Sequence, residues 1–407
     1  MKTSLLGQWV RYLTVFRRAV LAGCLSAALS LQAGVQVAAW GAGTVIQPAD
    51  NNDFGQSLVP ANLTNAVCVA GGWRHSLALR ANGSLQGWGD DTLGQTDFPA
   101  ASNYVAIACG SLHSLALATN GLVVAAGYDA YGQTEVPANL SNVVAVAAGF
   151  YHNLALQANG TVTAWGAGMI TNPADTYDFG QSVVPPGLSN VVAIAAGGYH
   201  SLVLKSDGTL AAWGNNVYGQ AEIPPGLSNV VAIAAGGGHN LALKANGTVV
   251  AWGENLFGQT NVPSGLSNVV ALAAGAWHSL ALKSDGTVTA WGAGIGTNPN
   301  VDYGQCTVPA GLSNGVQIAA GTVHSLVLVG GGLPVLKVPL TVSGHGPNSF
   351  SVVLPTRNGR VYRLEFANSL TNPAWGAFPL QTGVGGPTRF TDPSPTAAQR
   401  FYRVQQW

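Results

Sequence analysis

Hydrophobic and polar positions alternate in short bursts along this chain, and one pattern of bursts returns seven times. Residues 191–229, VVAIAAGGYHSLVLKSDGTLAAWGNNVYGQAEIPPGLSN, show it in full. VVAIAAG is a continuous small-apolar run, the mark of a strand buried on both faces. In HSLALK (278–283) alternation places the His and two Leu on one face and the Ser and Ala on the other. Asn-Gly or Asp-Gly follows at Asn82, Asn120, Asn159, Asp207, Asn246 and Asp285, and these dipeptides supply the positive φ angles of a two-residue hairpin turn. TVTAWG (287–292) is a third strand. The stretch after each Gly-Gln carries Pro60, Pro99, Pro137, Pro185, Pro224, Pro263 or Pro309. Proline cannot donate to a ladder, so the pattern predicts a fourth strand at an outer edge.

Fixed points hold the repeats in register. His75, His113, His152, His200, His239, His278 and His324 each close a Gly-x-x-His or a near variant, at steps of 38, 39, 48, 39, 39 and 46 residues. Trp-Gly recurs at Trp40, Trp88, Trp165, Trp213, Trp252 and Trp291, with Ala126-Gly127 in the remaining place. Gly-Gln follows at Gln56, Gln95, Gln133, Gln181, Gln220, Gln259 and Gln305. Four short strands in about 40 residues describe a β-propeller blade rather than a helical solenoid. The ends complete the count. Residues 34–65 hold only the later half of a unit and 316–328 only the first half, so together they predict a seventh blade built from both ends.

Composition narrows the function classes. Charged residues make up 8% of the 407, against roughly 25% in an ordinary soluble domain. That excludes a coiled coil, a charge-driven disordered chain and a basic nucleic-acid binder. The net charge of zero conceals a division. Residues 34–332 carry 5 basic and 14 acidic groups, whereas residues 333–407 carry 7 and 2, so the two stretches read as separate modules. Residues 1–33 place Lys2, Arg11, Arg17 and Arg18 before an uncharged run from Ala19 to about Leu31, the layout of a secretory signal. The run falls short of the ~20 strongly apolar residues of a spanning helix. Arg17-Arg18 leaves the twin-arginine route open, and Leu21-Ala22-Gly23-Cys24 lies too close to Arg18 for a lipoprotein box. The reading is a secreted or periplasmic protein, cleaved near Ala33, with no membrane contact afterwards. Cys24 leaves with the signal. Cys68, Cys109 and Cys306 form neither a disulfide framework nor a metal motif.

The pattern AAGxxHSLAL…NGTVxAWGxxxxGQ resembles the RCC1 repeat family, named for the regulator of chromosome condensation. The resemblance covers about residues 34–330 and implies an all-β, seven-bladed propeller closed by strands from both ends. In style it is similar to secreted bacterial β-lactamase inhibitor proteins with this repeat. It also implies guanine-nucleotide exchange and chromatin binding as family roles, which the acidic charge and the export signal oppose.

A catalytic site needs unlike groups converging once, and repeats deliver like groups seven times. The seven histidines share a face with leucines and read as buried structural groups. Each His-Ser pair points to opposite faces, and His152 and His239 precede Asn instead. Gly292 to Gly296 is a glycine-rich match without a phosphate-loop context. The sequence therefore predicts no enzyme, no cofactor and no metal; the Asp and Asn of the long loops do not match a calcium-loop spacing.

Candidate binding residues are those the repeat leaves free. Strand direction puts the turn before each His and the loop from Trp-Gly to Gly-Gln at one end of every blade. Trp73, Arg74, Phe150, Tyr151, Tyr199 and Trp277 occupy those turns, and aromatic residues with Arg are typical interface anchors. Asp50, Asp53, Asp90, Asp91, Asp129, Asp175, Asp178, Glu254 and Asp302 crowd the same loops, where Arg74 is the single base. That face should attract a basic protein surface. Of these acids, Asp90, Asp91, Asp129 and Glu254 join the turn residues as the predicted partner contacts. The residue before each Gly-Gln is read as blade packing. Three loops, ending at Gln56, Gln181 and Gln305, are longer and could wall a shallow surface.

Gly330-Gly331-Gly332 ends the repeats as a linker. Beyond it VLKVPLTV, SFSVVLP, RVYRLEFA and RFYRVQQ read as strands, with Asn358-Gly359 as a hairpin turn. The expectation for residues 333–407 is a small β-sandwich similar to fibronectin type III modules. The sequence thus points to an exported, monomeric, non-enzymatic protein-binding propeller. Its rivals are a carbohydrate-active or lyase propeller, a β-lactamase inhibitor, and a guanine-nucleotide exchange factor.

Overall fold

The computed structural model describes residues 35–44, 46–47, 52–169, 177–294, 301–330, 341–346, 349–356, 361–367, 376–384, 387–393 and 401–406. The expected signal with Cys24, Asp50, Asp175, most of the Gly-rich linker and the Asn358-Gly359 turn lie outside these residues. All secondary structure among the described residues is β.

Seven antiparallel sheets repeat along the chain. Blade 1 is Ala66–Gly71, His75–Arg80 and Leu85–Gly89; blade 2 is Tyr104–Cys109, His113–Ala118 and Val123–Gly127. Blade 3 is Val143–Ala148, His152–Gln157 and Val162–Gly166; blade 4 is Val191–Ala196, His200–Lys205 and Leu210–Gly214. Blade 5 is Val230–Ala235, His239–Lys244 and Val249–Gly253; blade 6 is Val269–Ala274, His278–Lys283 and Val288–Gly292. Blade 7 takes Gly315–Ala320 and His324–Val329 from one end of the propeller and Gln36–Gly41 from the other. The two-ended closure is present, with Gln36 opposite Val329 and Gly41 opposite His324.

The fourth strand is absent: each blade has three strands, and the proline-bearing stretch runs as turns and bends. Turn bonds account for it. Leu63, Leu140, Leu188, Leu227, Leu266 and Leu312 donate back to the carbonyls of Pro60, Pro137, Pro185, Pro224, Pro263 and Pro309, so the segment satisfies itself locally instead of extending a ladder.

The first strand of each blade lines the axis and the middle strand is sealed by its neighbours. Leu77, Leu79, Leu115, Leu117, Leu154 and Leu156 have no exposed surface. At the mouth of the axial channel the blades are tied by backbone bonds that run once round the ring. Trp73 donates to Ser111, Ser111 to Phe150, Phe150 to Gly198, Gly198 to Gly236 and Gly237, Gly237 to Gly275, Ala276 to Thr322, and Thr322 to Gly72. Such approach needs glycine. A Cβ on Gly197 would sit 2.2 Å from the His200 ring and 2.7 Å from the carbonyl oxygen of Gly236.

Beyond the propeller, Thr341–Gly346, Ser349–Pro355 and Pro387–Asp392 form one sheet. Val361–Ala367 pairs with Gly376–Ala377, Gln381–Thr382 and Phe401–Gln406 in another. The expected hairpin between SFSVVLP and RVYRLEFA is therefore corrected: the two strands lie in different sheets. Their alternating apolar sides meet instead in a shared cluster of Val352, Leu354, Tyr362, Leu364, Phe390 and Val404. This unit touches the propeller at blade 4, where the Leu380 amide donates to the Ser206 carbonyl at 2.7 Å and the Leu380 side chain is buried.

Candidate protein-binding face

The loop face is built by short backbone bonds within each blade. The residue after Trp-Gly donates to the carbonyl of the residue before His: Asp90 to Arg74, Tyr128 to Leu112, Ala167 to Tyr151, Asn215 to Tyr199, Glu254 to Gly238 and Ala293 to Trp277. The two variable turns of each blade therefore lie at one end, as strand direction predicts. Asn-Gly and Asp-Gly hairpins, with Lys205, Lys244 and Lys283 beside them, occupy the other end.

The seven histidines are structural, and they form a ring of their own. Each Nε2 meets the residue after the next blade's His: His75 to Ser114, His113 to Asn153, His152 to Ser201, His200 to Asn240, His239 to Ser279, His278 to Ser325 and His324 to Ser76, all at 2.8–3.0 Å. The tautomer follows from the partners. Ser76, Ser201, Ser279 and Ser325 spend their hydroxyl protons on Gln carbonyls, and Asn153 and Asn240 spend Nδ2 in the same way. Their oxygens can then only accept, so the facing imidazoles carry the proton on Nε2. This explains the mixture of Ser and Asn after His, since either residue offers one donor and one acceptor. Burial pushes His75, His152, His239, His278 and His324 down to about 3, and His113 and His200 to about 4, so the ring is neutral.

Aromatic side chains gather on one side of the face. Tyr131, Tyr151 and Tyr177 have ring centroids 5.1–5.6 Å apart. Tyr199 joins them at 6.0 Å from Tyr177 and carries Phe150 and Phe179 against it at 5.4 and 5.5 Å. Tyr128 flanks Tyr131 and Tyr151. All are half-buried. Burial pushes the Tyr151 and Tyr199 phenols up, so both stay protonated and able to donate. Sequence reasoning had Phe150, Tyr151 and Tyr199 but missed Tyr128, Tyr131, Tyr177 and Phe179. Tyr131 and Phe179 precede Gly-Gln, where packing within the blade was expected. There the glutamine Oε1 takes the backbone amide of that residue, which fixes the turn and leaves the ring on the rim.

Trp73 and Arg74 form a second group, on blade 1. The guanidinium lies 3.9 Å from the Trp73 ring and 4.8 Å from Phe54. Trp73 is itself held, with its indole N–H on Asn52 Oδ1 at 3.0 Å, and Asn52 in turn donates to the Tyr303 hydroxyl at 2.8 Å. Burial pulls the Arg74 guanidinium down from its ordinary value and the nearby Asp90 carboxylate pushes it back up. Trp277 stands apart from both groups, 6.1 Å from Phe257.

The loop acids carry a local duty that composition alone did not reveal. Asp91 and Asp129 accept from the amides of Thr96 and Thr134 at 2.8 and 2.7 Å, while Asn216 and Asn255 do the same at the equivalent places. Asp53, Asp178 and Asp302 accept from Gly43, Gly168 and Gly294. Asp91 and Asp129 remain exposed, but Asp90 and Glu254 are 5% and 8% exposed and form no open rim. Burial pushes the Glu254 carboxyl up. Cys306 is the counterpart of Ser57 and Ser182, which donate to Ala42 and Ala167; its thiol donates to Ala293. Cavities of about 150 and 130 Å³ follow the axis, lined mostly by Gly and Ala from all seven blades, with Phe150 in one and Ile107 and Ile318 in the other, and by no carboxylate among the described residues.

Geometry of this kind defines a class, and sequence comparison agrees with it. Residues 66–95, 104–133, 143–168, 191–220, 230–259 and 269–298 match the regulator of chromosome condensation (RCC1) repeat. These are blades 1 to 6; blade 7 is divided between two distant segments and offers no continuous unit. The chain is an RCC1-repeat β-propeller. Prp20p from Saccharomyces cerevisiae, studied for its binding to Gsp1p and histones, is similar at a TM-score of 0.58 and 21% identity, over 75% of this chain and 93% of that one. Human WBSCR16 gives 0.53 and 20%, over 73% and 99%. The ectodomain of the Physcomitrella patens receptor kinase CR4 gives 0.50 and 22%, over 68% and 75%. At these identities the likeness is one of fold. No curated protein matches the sequence.

Proposed function

We propose that this chain is an exported, non-enzymatic binding protein that docks a protein partner with a basic surface on its loop face. The tyrosine-rich cluster around Tyr151 carries the reading. Aromatic side chains supply large, rigid contact area with a polar tip, which suits them to interface centres. Exposed Asp91 and Asp129 add negative charge at the rim, where charge governs encounter more than affinity. A carbohydrate-active or lyase propeller would want unlike acids converging in the channel, and the axial wall supplies small residues instead. β-Lactamase inhibition is a special case that nothing in the loop geometry singles out.

The test starts from partner capture with the purified full chain as bait among exported proteins. Tyr151→Ala should then weaken the captured complex by about 2 kcal/mol or more. Asp129→Asn keeps the turn bond to Thr134 and removes the charge, so it should slow association and flatten its salt dependence. Lys205→Ala, at the opposite end, should leave binding unchanged. Loss of binding in Lys205→Ala with full binding in Tyr151→Ala would refute the assignment.

A further inference from the structure

Among the described residues Arg74 is the one base on an otherwise acidic face, and its surroundings are unusually complete. The guanidinium carbon lies over the Trp73 ring at 3.9 Å and over the Phe54 ring at 4.8 Å. The chain Trp73–Asn52–Tyr303 fixes the tryptophan, so the stack is assembled from three separate segments of the sequence. Stacking of this kind consumes the faces of an arginine and leaves its in-plane N–H donors for a planar acceptor. Those donors are unused: the side chain makes no hydrogen bond or ion pair among the described residues, and its Nε is buried without a partner. Asp90 is near enough to act through its charge, yet its Oδ1 is engaged by the Thr92 amide at 3.0 Å.

We propose that Arg74 is a carboxylate-binding subsite of the loop face, taking one Asp or Glu side chain of the docked protein. The inference rests on the docking reading and sharpens it. On a face that attracts a basic surface, one reversed charge pair fixes the register of the complex, because any other alignment sets the partner's acid against Asp91 or Asp129. A carboxylate matches the fork of the guanidinium with two parallel bonds. A phosphate dianion matches it too, but carries twice the charge into a site beside Asp90.

Small probes test this without the partner. In full-length protein labelled with 15N-arginine, the Arg74 Nε–H signal is assigned by its loss in Arg74→Lys. N-acetyl-glutamate-N-methylamide should shift it saturably at millimolar concentration, and the neutral glutamine analogue should not. Asp90→Asn keeps an oxygen for the Thr92 amide and should tighten binding several-fold. No shift, an equal shift with the glutamine analogue, or tighter binding of inorganic phosphate would each overturn the assignment. Such a failure leaves partner docking to be decided separately by Tyr151→Ala.

Discussion

The neutral histidine ring makes the propeller acid-sensitive in a range where few proteins are. All seven imidazoles have no exposed surface, and each makes an Nε2 hydrogen bond to the next blade. Folding holds them at about 3 to 4, whereas in the unfolded chain a histidine titrates near 6.5. The unfolded state therefore binds more protons between these limits, and stability rises with pH across that window. It is fully present above about pH 6.5 and falls as pH drops through that value, each histidine losing about 1.4 kcal/mol by one unit below. Seven acting together remove about 10 kcal/mol near pH 5.5, as much as the whole stability of an ordinary domain. Carboxylates of the unfolded chain titrate lower, near 4, and the raised Glu254 carboxyl acts in the opposite sense, so this early loss belongs to the ring. Denaturant unfolding followed by circular dichroism at pH 8, 7, 6 and 5.5 measures it, and a pH-indicator dye counts protons taken up. Equal stability at pH 7.5 and 5.5, or uptake of one proton or fewer on unfolding at pH 5.5, would refute the argument.

Two further outcomes follow from the same bonds. Ser201→Ala strands the His152 donor, while the Gln181 carbonyl keeps the Trp213 indole N–H, and should cost about 2 kcal/mol; Ser201→Asn copies Asn153 and Asn240 and should cost about 1 kcal/mol or less, by thermal melts at pH 8. Deleting residues 34–65 uncovers the His324–Val329 edge and should abolish soluble monomer on size-exclusion chromatography, more severely than deleting residues 333–407.

Repetition made much of this legible. Seven registers of His, Trp-Gly and Gly-Gln expose the strand pattern, the shared loop end and the two-ended blade, because each signal is averaged over copies. The Pro-bearing segment misled because proline is compatible both with an edge strand and with a turn, and only its local bonds decide. Asp91 and Asp129 looked like interface charge, although Asn216 and Asn255 at the same place already signalled a backbone-capping role. Contacts that join non-equivalent residues escaped entirely. Arg74 meets Phe54 across 20 residues of chain, and Asn52 meets Tyr303 across 251, with no repeat to announce either.

The divided seventh blade also sets an orientation. Gln36 opens one strand beside Val329, the last residue of the next, and Val35 lies against Gly330. The polypeptide thus enters and leaves the ring at a single point of blade 7, on the hairpin side; Leu380 docks on that same side, at blade 4. A tether at either end would hold the disc by its back, like a dish on a stalk, with the tyrosines and Arg74 facing outward.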